Sequence, residues 1–290
     1  MSCAMEQDVS TNRTARLPGV VASRITAAGM RDTGVDAITI EALSKQYPSR
    51  GGAVAALDRI SFQVTEGEFV AVVGPSGCGK STLLKILAGL LPTSSGEARL
   101  RGTPIAGPRR DIGVVFQSPV LFPWRNVLDN VLLPVDVQRL GHDRYERVAL
   151  DLLALVGLTG FERRYPWELS GGMQQRVAIT RALVHDPAML LMDEPFGALD
   201  AMTREHMNVE RQRIWLEKKK TVLFITHSIP EAVFLGDRVL VMTPRPGRIL
   251  DDVSVALSRP RSLEVINTPE FGRYARAIRA QFSVQGGLDA

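Results

Sequence analysis

Residues 69–87 constrain this chain more than any other segment. Phe69-Val70-Ala71-Val72-Val73 is an unbroken apolar, β-rich run, suited to a strand buried on both faces. From Lys80 the pattern becomes helical, with Leu83, Leu84, Ile86 and Leu87 on one side. Between them lies Gly74-Pro75-Ser76-Gly77-Cys78-Gly79-Lys80-Ser81-Thr82, which fits G-x-x-x-x-G-K-[ST] in the strand-to-helix context that pattern requires. Glycines let the backbone curl so that several N–H groups converge on phosphate oxygens. The helix that follows adds the positive end of its dipole. Lys80 is placed to reach β- and γ-phosphates, and the Ser81 hydroxyl to ligate Mg²⁺. The motif points to ATP or GTP.

The rest of the chain alternates strands with helices, which implies an α/β fold with a largely parallel sheet covered on both faces. Strand candidates are Ile38 onward, Ile60 to Val64, Ile112 to Phe116, Met189 to Met192, Thr221 to Ile225 and Val239 to Met242. Residues 143–156 read as a helix, with Tyr145, Val148, Ala149, Leu152, Leu153 and Val156 on one face. Residues 1–36 are rich in Ser, Thr, Arg and Gly without periodicity and are expected to be a flexible extension. The main domain is expected over 37–258, with a helical subdomain inserted at about 118–184. Arg259-Pro260-Arg261 opens a short tail, 259–290, with a stripe of Phe271, Tyr274, Ile278 and Phe282 that reads as docking onto the chain's own core.

Met189-Leu190-Leu191-Met192-Asp193-Glu194 is an apolar strand ending in two acids. Asp193 should emerge at the strand's C-terminal edge, where it can hold Mg²⁺. Glu194 follows, pointing the other way off the strand, placed to polarise an attacking water as general base. On its own the pair would read as an acidic strand-to-loop turn; the phosphate loop upstream favours the functional reading. Leu169-Ser170-Gly171-Gly172-Met173-Gln174-Gln175-Arg176 starts a second helix that Ser170 can cap, with paired glycines that free the backbone to approach another anion.

This last stretch closely resembles the signature motif of the ABC ATPase family, and other residues extend the resemblance in the family's order. Gln117, ending the strand 112–116, looks like the Q-loop glutamine. Gly197-Ala198-Leu199-Asp200 looks like the D-loop, His227 like the switch histidine, and Tyr47 like the adenine-stacking aromatic. A lone histidine after a strand reads as a turn residue and a lone tyrosine as packing; their order relative to the phosphate loop favours function for both. The resemblance covers roughly residues 38–258. It implies a P-loop ATPase fold with a mostly parallel core, an antiparallel β region and the inserted helical subdomain. It further implies a head-to-tail homodimer, with each ATP lying between residues 74–82 of one copy and 170–172 of the other. In that arrangement Gln117 touches Mg²⁺ or the attacking water, His227 contacts the γ-phosphate, and Asp200 couples the two sites. Cys78 sits among N–H groups and beside Lys80, which would lower a thiol pKa, yet a tolerated small residue is the simpler reading.

Leu121-Phe122-Pro123-Trp124-Arg125-Asn126-Val127-Leu128-Asp129-Asn130-Val131, with the stretches 226–238 and 244–249, resembles importers of the nitrate, sulfonate and taurine type. That implies a separate membrane permease and, indirectly, a periplasmic or extracellular solute-binding protein. Phe122 and Trp124 fit either a permease-docking anchor or local packing. Composition adds limits. With 290 residues and 45% hydrophobic content the chain can bury a large core. Two cysteines make no disulfide framework. No run of about 18 apolar residues is present, and no secretory signal, so the chain is expected to sit peripherally on the cytoplasmic face of the cell (inner) membrane. A net charge of +4 fits a membrane surface or nucleic acid equally. No helix-turn-helix or basic aromatic stripe supports nucleic acid. The alternative in view is a soluble ABC ATPase without a transport role, for example in cluster assembly.

Overall fold

A computed structural model describes residues 36–194 and 201–283. It holds two sheets. The larger has six strands in the order β10-β9-β3-β8-β7-β6, namely β6 (Ile112–Val115), β7 (Met189–Asp193), β8 (Thr221–Thr226), β3 (Phe69–Val73), β9 (Arg238–Met242) and β10 (Ile249–Ser254). Its strands pair in parallel except β10, which runs antiparallel along one edge. The smaller sheet is antiparallel, order β2-β1-β4-β5, from β1 (Asp36–Tyr47), β2 (Val54–Thr65), β4 (Ser95–Leu100) and β5 (Thr103–Pro104).

Period-two alternation divides the core into two layers. Phe69, Ala71 and Val73 of β3 face one side with Val222 and Phe224 of β8 and Leu190 and Met192 of β7. Val70 and Val72 face the other with Leu223, Ile225, Met189 and Leu191. Every residue of β3 and β8 is buried, which is why these strands read as continuous apolar runs. The second face is covered by the antiparallel sheet and α1 (Lys80–Leu87), whose Leu83, Leu84, Ile86 and Leu87 are all buried. On the first face lie the helices between β6 and β7: α2 (Val127–Gln138), α3 (His142–Leu155) and α4 (Gly171–Leu183). Helix α5 (Ala201–Lys218) precedes β8 and α6 (Ile229–Leu235) follows it.

The structure revises several boundaries. The strand expected to reach Phe116 stops at Val115, and both Phe116 and Gln117 are exposed beyond it. The strand read at 60–64 is the second half of β2. Strands β4 and β10 carry little apolar patterning: Gly96 and Glu97 in one and Asp251 and Asp252 in the other are residues poor in strand preference.

The tail packs on its own chain. In α7 (Pro269–Ser283), Phe271, Tyr274, Ile278 and Phe282 are all buried in the first layer, and the Tyr274 hydroxyl accepts from the Ala256 N–H at 3.1 Å. Arg261, 2% exposed, donates from Nη1 to the carbonyls of Val233, Phe234 and Gly236 at 2.8–2.9 Å. These are carbonyls at the C-terminal end of α6, which a helix leaves without internal partners. Burial pushes this guanidinium down to about 10, helped by Arg259. Arg261→Met should therefore strand three buried carbonyls and lower unfolding stability by on the order of 3 kcal/mol. Denaturant titration checks it; an unchanged midpoint would mean that α6 does not depend on the tail.

Candidate nucleotide site

The segments that follow β3 and β6 and the C-terminal end of β7 line one cleft of about 400 Å³. Its floor is the loop from β3 to α1. Gly79 has φ +104, and a Cβ there would lie 2.8 Å from the Ala56 carbonyl and 2.6 Å from Leu57, so the loop closes against β2 only with glycine. Lys80 is 7% exposed, and its Nζ donates to the carbonyls of Gly74 and Pro75 at 2.8 and 3.1 Å. The ammonium is thus held over the loop by the loop itself. Ser76, Gly77, Gly79, Lys80, Ser81 and Thr82 line the cleft. Gly74 and Cys78 are buried beneath it. Cys78 is 1% exposed and burial pushes its thiol pKa up, against the pull of Lys80, so the thiolate is disfavoured.

The two acids complete one wall. The Ser81 hydroxyl donates to Asp193 Oδ1 at 3.4 Å. Burial raises the Asp193 carboxyl pKa, and the neighbouring Glu194 adds to the rise, while the Ser81 hydrogen bond opposes it. The expectation that Glu194 points away from Asp193 is corrected. Strand β7 ends at Asp193, and Glu194 turns to φ +37, its N–H held by the Ile225 carbonyl at 2.9 Å. Strand alternation stops there, and both carboxylates line the cleft. Glu194 Oε2 lies 3.1 Å from His227 Nδ1 just past β8, which brings the histidine to the site although it is not part of the wall. Tyr47, the last residue of β1, lines the opposite rim, with its hydroxyl 3.3 Å from Thr82 Oγ1. Gln117 also lines the cleft.

Oxygen donors from Ser81, Gln117 and Asp193 around one cleft suit a hard cation such as Mg²⁺.

Ser170, Gly171 and Gly172 are not brought to this cleft. They begin α4, where the Ser170 hydroxyl accepts from the Met173 N–H at 3.3 Å as a helix cap. Helix α4 is nevertheless tied to the segment that carries Gln117. Gln175 Nε2 donates to the Phe116 carbonyl at 3.3 Å, and Arg181 reaches the carbonyls of Pro119 and Val120 at 2.7 and 2.9 Å. Asp200 and the rest of residues 197–200 lie outside the described residues, as do residues 1–35. Phe122 and Trp124 stack with ring centroids 5.0 Å apart, Trp124 71% exposed. They are held by the fully buried Asn130, which bonds the backbone of Phe122, Arg125 and Asn126. Val54, Ala56 and Arg245 also line the cleft; the sequence gives none of them a site role, although Arg245 falls in the stretch 244–249 that resembles the importer group.

Comparison with known proteins is consistent with this site. A family model described as ABC transporter matches residues 57–197. An uncharacterised ABC transporter ATP-binding protein of Methanocaldococcus jannaschii is 49% identical over 241 residues, covering 83% of this chain and 89% of the relative. The chain belongs to the ATP-binding proteins of the ABC transporter family. A taurine import ATP-binding protein of Burkholderia pseudomallei is 50% identical, covering 75% of this chain and 84% of the relative. An aliphatic sulfonates import ATP-binding protein of Bacillus cereus is 43% identical over 87% of this chain and 97% of the relative. Among solved structures, the dimeric ATP-binding cassette MJ0796, in a post-hydrolysis state bound to ADP and Pi, superposes with a TM-score of 0.67. It is 32% identical and covers 76% of this chain and all of that one. This ABC cassette is therefore an ATP-binding ATPase with the α/β fold expected of it.

The raised Asp193 pKa carries a signed consequence. A carboxyl whose folded pKa lies above its unfolded value binds its proton more tightly when folded, so stability falls as pH rises between the two values. At neutral pH, Asp193→Asn should raise the melting temperature of the nucleotide-free cassette while removing the added protection that Mg·ATP gives. A lower melting temperature without nucleotide would contradict this account of Asp193.

Proposed function

We propose that this cassette powers the import of a small sulfonate, taurine or a related organic anion through a separate membrane permease. Likeness to import proteins named for taurine and aliphatic sulfonates supports the substrate class. Among the described residues no helix is long and apolar enough to cross a membrane; the relatives are named as ATP-binding proteins of import systems, which supports a channel carried by another polypeptide. The cassette works peripherally, on the cytoplasmic side, and the solute-binding protein acts on it only through the permease. Residues 37–258 form the motor, the helices of 118–184 its lever, and the described part of the tail, 259–283, a clamp on α6.

The single observation that carries the catalytic reading is the convergence of Lys80, Asp193 and Glu194 on one cleft, with His227 on Glu194. Lys80 and the loop N–H groups hold the β- and γ-phosphates. A bound Mg²⁺, held by Ser81 and Asp193 with Gln117 beside it, would neutralise charge on the phosphate oxygens. Tyr47 offers its ring to the adenine. Glu194 accepts a proton from the attacking water, and His227 fixes the carboxylate's orientation and meets the γ-phosphate. Placement and charge stabilisation do most of the work, as phosphoryl transfer requires.

The exposed Ser170 and Gly171 serve the nucleotide of a second copy, and Asp200 links the two sites. ATP then joins the two copies and hydrolysis releases them. The bonds from α4 to carbonyls 116, 119 and 120 carry that change to Gln117 and to the Phe122–Trp124 stack, where the permease docks.

Ser170→Arg should slow steady-state hydrolysis about a hundredfold yet leave ATP affinity of the isolated cassette within about threefold, whereas Lys80→Ala should lose both. Nucleotide binding and phosphate release measured side by side check this. Loss of ATP binding by monomeric Ser170→Arg would refute the shared site. In host cells lacking the chain, uptake of labelled taurine or an alkanesulfonate should return with the native protein and not with Lys80→Ala. Unchanged uptake in the deletion would exclude that substrate class.

A further inference from the structure

Strands β9 and β10 are joined by a hairpin, residues 243–248, that is built against the phosphate loop. Thr243 closes it, its N–H donating to the Arg248 carbonyl at 2.9 Å and its hydroxyl accepting from the Arg248 N–H at 3.0 Å. The Arg248 guanidinium is paired with Asp58 at the start of the hairpin's seat on β2. Gly247 donates to the Ala56 carbonyl at 2.9 Å and accepts from the Asp58 N–H at 3.0 Å. A Cβ on Gly247 would lie 2.1 Å from the Cys78 carbonyl, so hairpin backbone and phosphate-loop backbone are in direct contact. The hairpin is thus a fixed wall rather than a free loop.

Arg245 projects from that wall into the cleft. It is exposed, lines the cleft with Lys80, and its Nε donates to the Gly77 carbonyl at 3.3 Å. Other arginines of this region are neutralised: Arg248 by Asp58, Arg238 by Glu68 and Asp252, Arg259 by Asp237. Among the described residues Arg245 has no carboxylate at ion-pair distance. One N–H is spent on the loop carbonyl, which sets the direction of the side chain, and the remaining guanidinium donors are left at the mouth of a cleft whose loop curls around phosphate. A guanidinium held this way is suited to charge-assisted bonds with phosphoryl oxygens.

We propose that Arg245 is a second cationic contact to the bound nucleotide, donating from its guanidinium to phosphate oxygens alongside Lys80. The inference rests on the cleft being the nucleotide site and adds to it a residue that the phosphate loop, the acidic pair and the signature stretch do not include.

Affinity for Mg·ADP and for a non-hydrolysable ATP analogue, measured by calorimetry at fixed ionic strength, tests it with four variants. Arg245→Ala and Arg245→Gln should each weaken both nucleotides about tenfold, Arg245→Lys should stay within about threefold of native, and the fold should be unchanged by circular dichroism. Raising the salt should narrow the gap between native and Arg245→Gln. Native-like affinity in Arg245→Ala overturns the proposal. Equal affinity in Arg245→Gln and Arg245→Lys also overturns it, because the contact would then be packing rather than charge. Lys80→Ala separates the two readings. If it abolishes binding while Arg245→Ala does not, this inference alone fails. If both bind as native, the nucleotide does not occupy the cleft.

Discussion

The parallel ladder of β6, β7, β8 and β3 decides where the phosphate loop, the two acids, the glutamine segment and the histidine emerge. Val73 pairs with Thr226, Asp193 with Ile225, and Val115 with Met192. These pairings bring the phosphate loop, the two acids, the histidine and the glutamine segment to one edge of one sheet. A slip of one residue in any strand would turn its core side chains to the opposite layer, and both layers are filled. Fixing the register therefore fixes the site. Glu194 shows how closely the two are joined: its N–H is still bonded to the Ile225 carbonyl even as its backbone leaves strand geometry.

The site is connected outward through backbone carbonyls gripped by buried or half-buried side chains. Gln175 and Arg181 of α4 hold residues 116, 119 and 120. Asn130 of α2 holds 122, 125 and 126. The chain from Gln117 to the exposed Trp124 is therefore anchored at both ends to helices of the same arm. At the other end of the cleft, α6 begins one residue after Ser228, which caps it, and ends on the carbonyls held by Arg261. The hydrogen bonds that tie α4 and α6 to these carbonyls are directional and would leave unpaired buried groups if broken.

Much of this was legible in the sequence because the site consists of strand ends followed by short turns. An apolar run that stops at a glycine or an acid marks both the strand and the position where chemistry begins, as at Val73 and Met192. The phosphate loop follows from its glycine-lysine spacing, and α1 and the buried stripe of α7 follow from periodicity. Other features depended on contacts distant in sequence. Strand β4, held between β1 and β5, and the edge strand β10 are made strands by their pairing partners rather than by their composition. Helix α2 carries Pro134 inside it, which argues locally against a helix and is outweighed by the packing of Val131, Leu132 and Val135. The direction of Glu194 required a left-handed backbone that no residue type announces. Arg245 reaches the cleft only because Gly247 seats its hairpin on Cys78, a contact between residues far apart in the chain.

The central claim is that the cleft at the ends of β3, β6 and β7 hydrolyses ATP with Glu194 as base and is completed by a second copy. The most direct test is the mass of the Glu194→Gln cassette in solution with and without Mg·ATP, read together with phosphate release. The account predicts a monomer without nucleotide, a stable ATP-loaded dimer with it, and no turnover. Turnover at the native rate, or an ATP-saturated protein that stays monomeric even with its permease present, would contradict it.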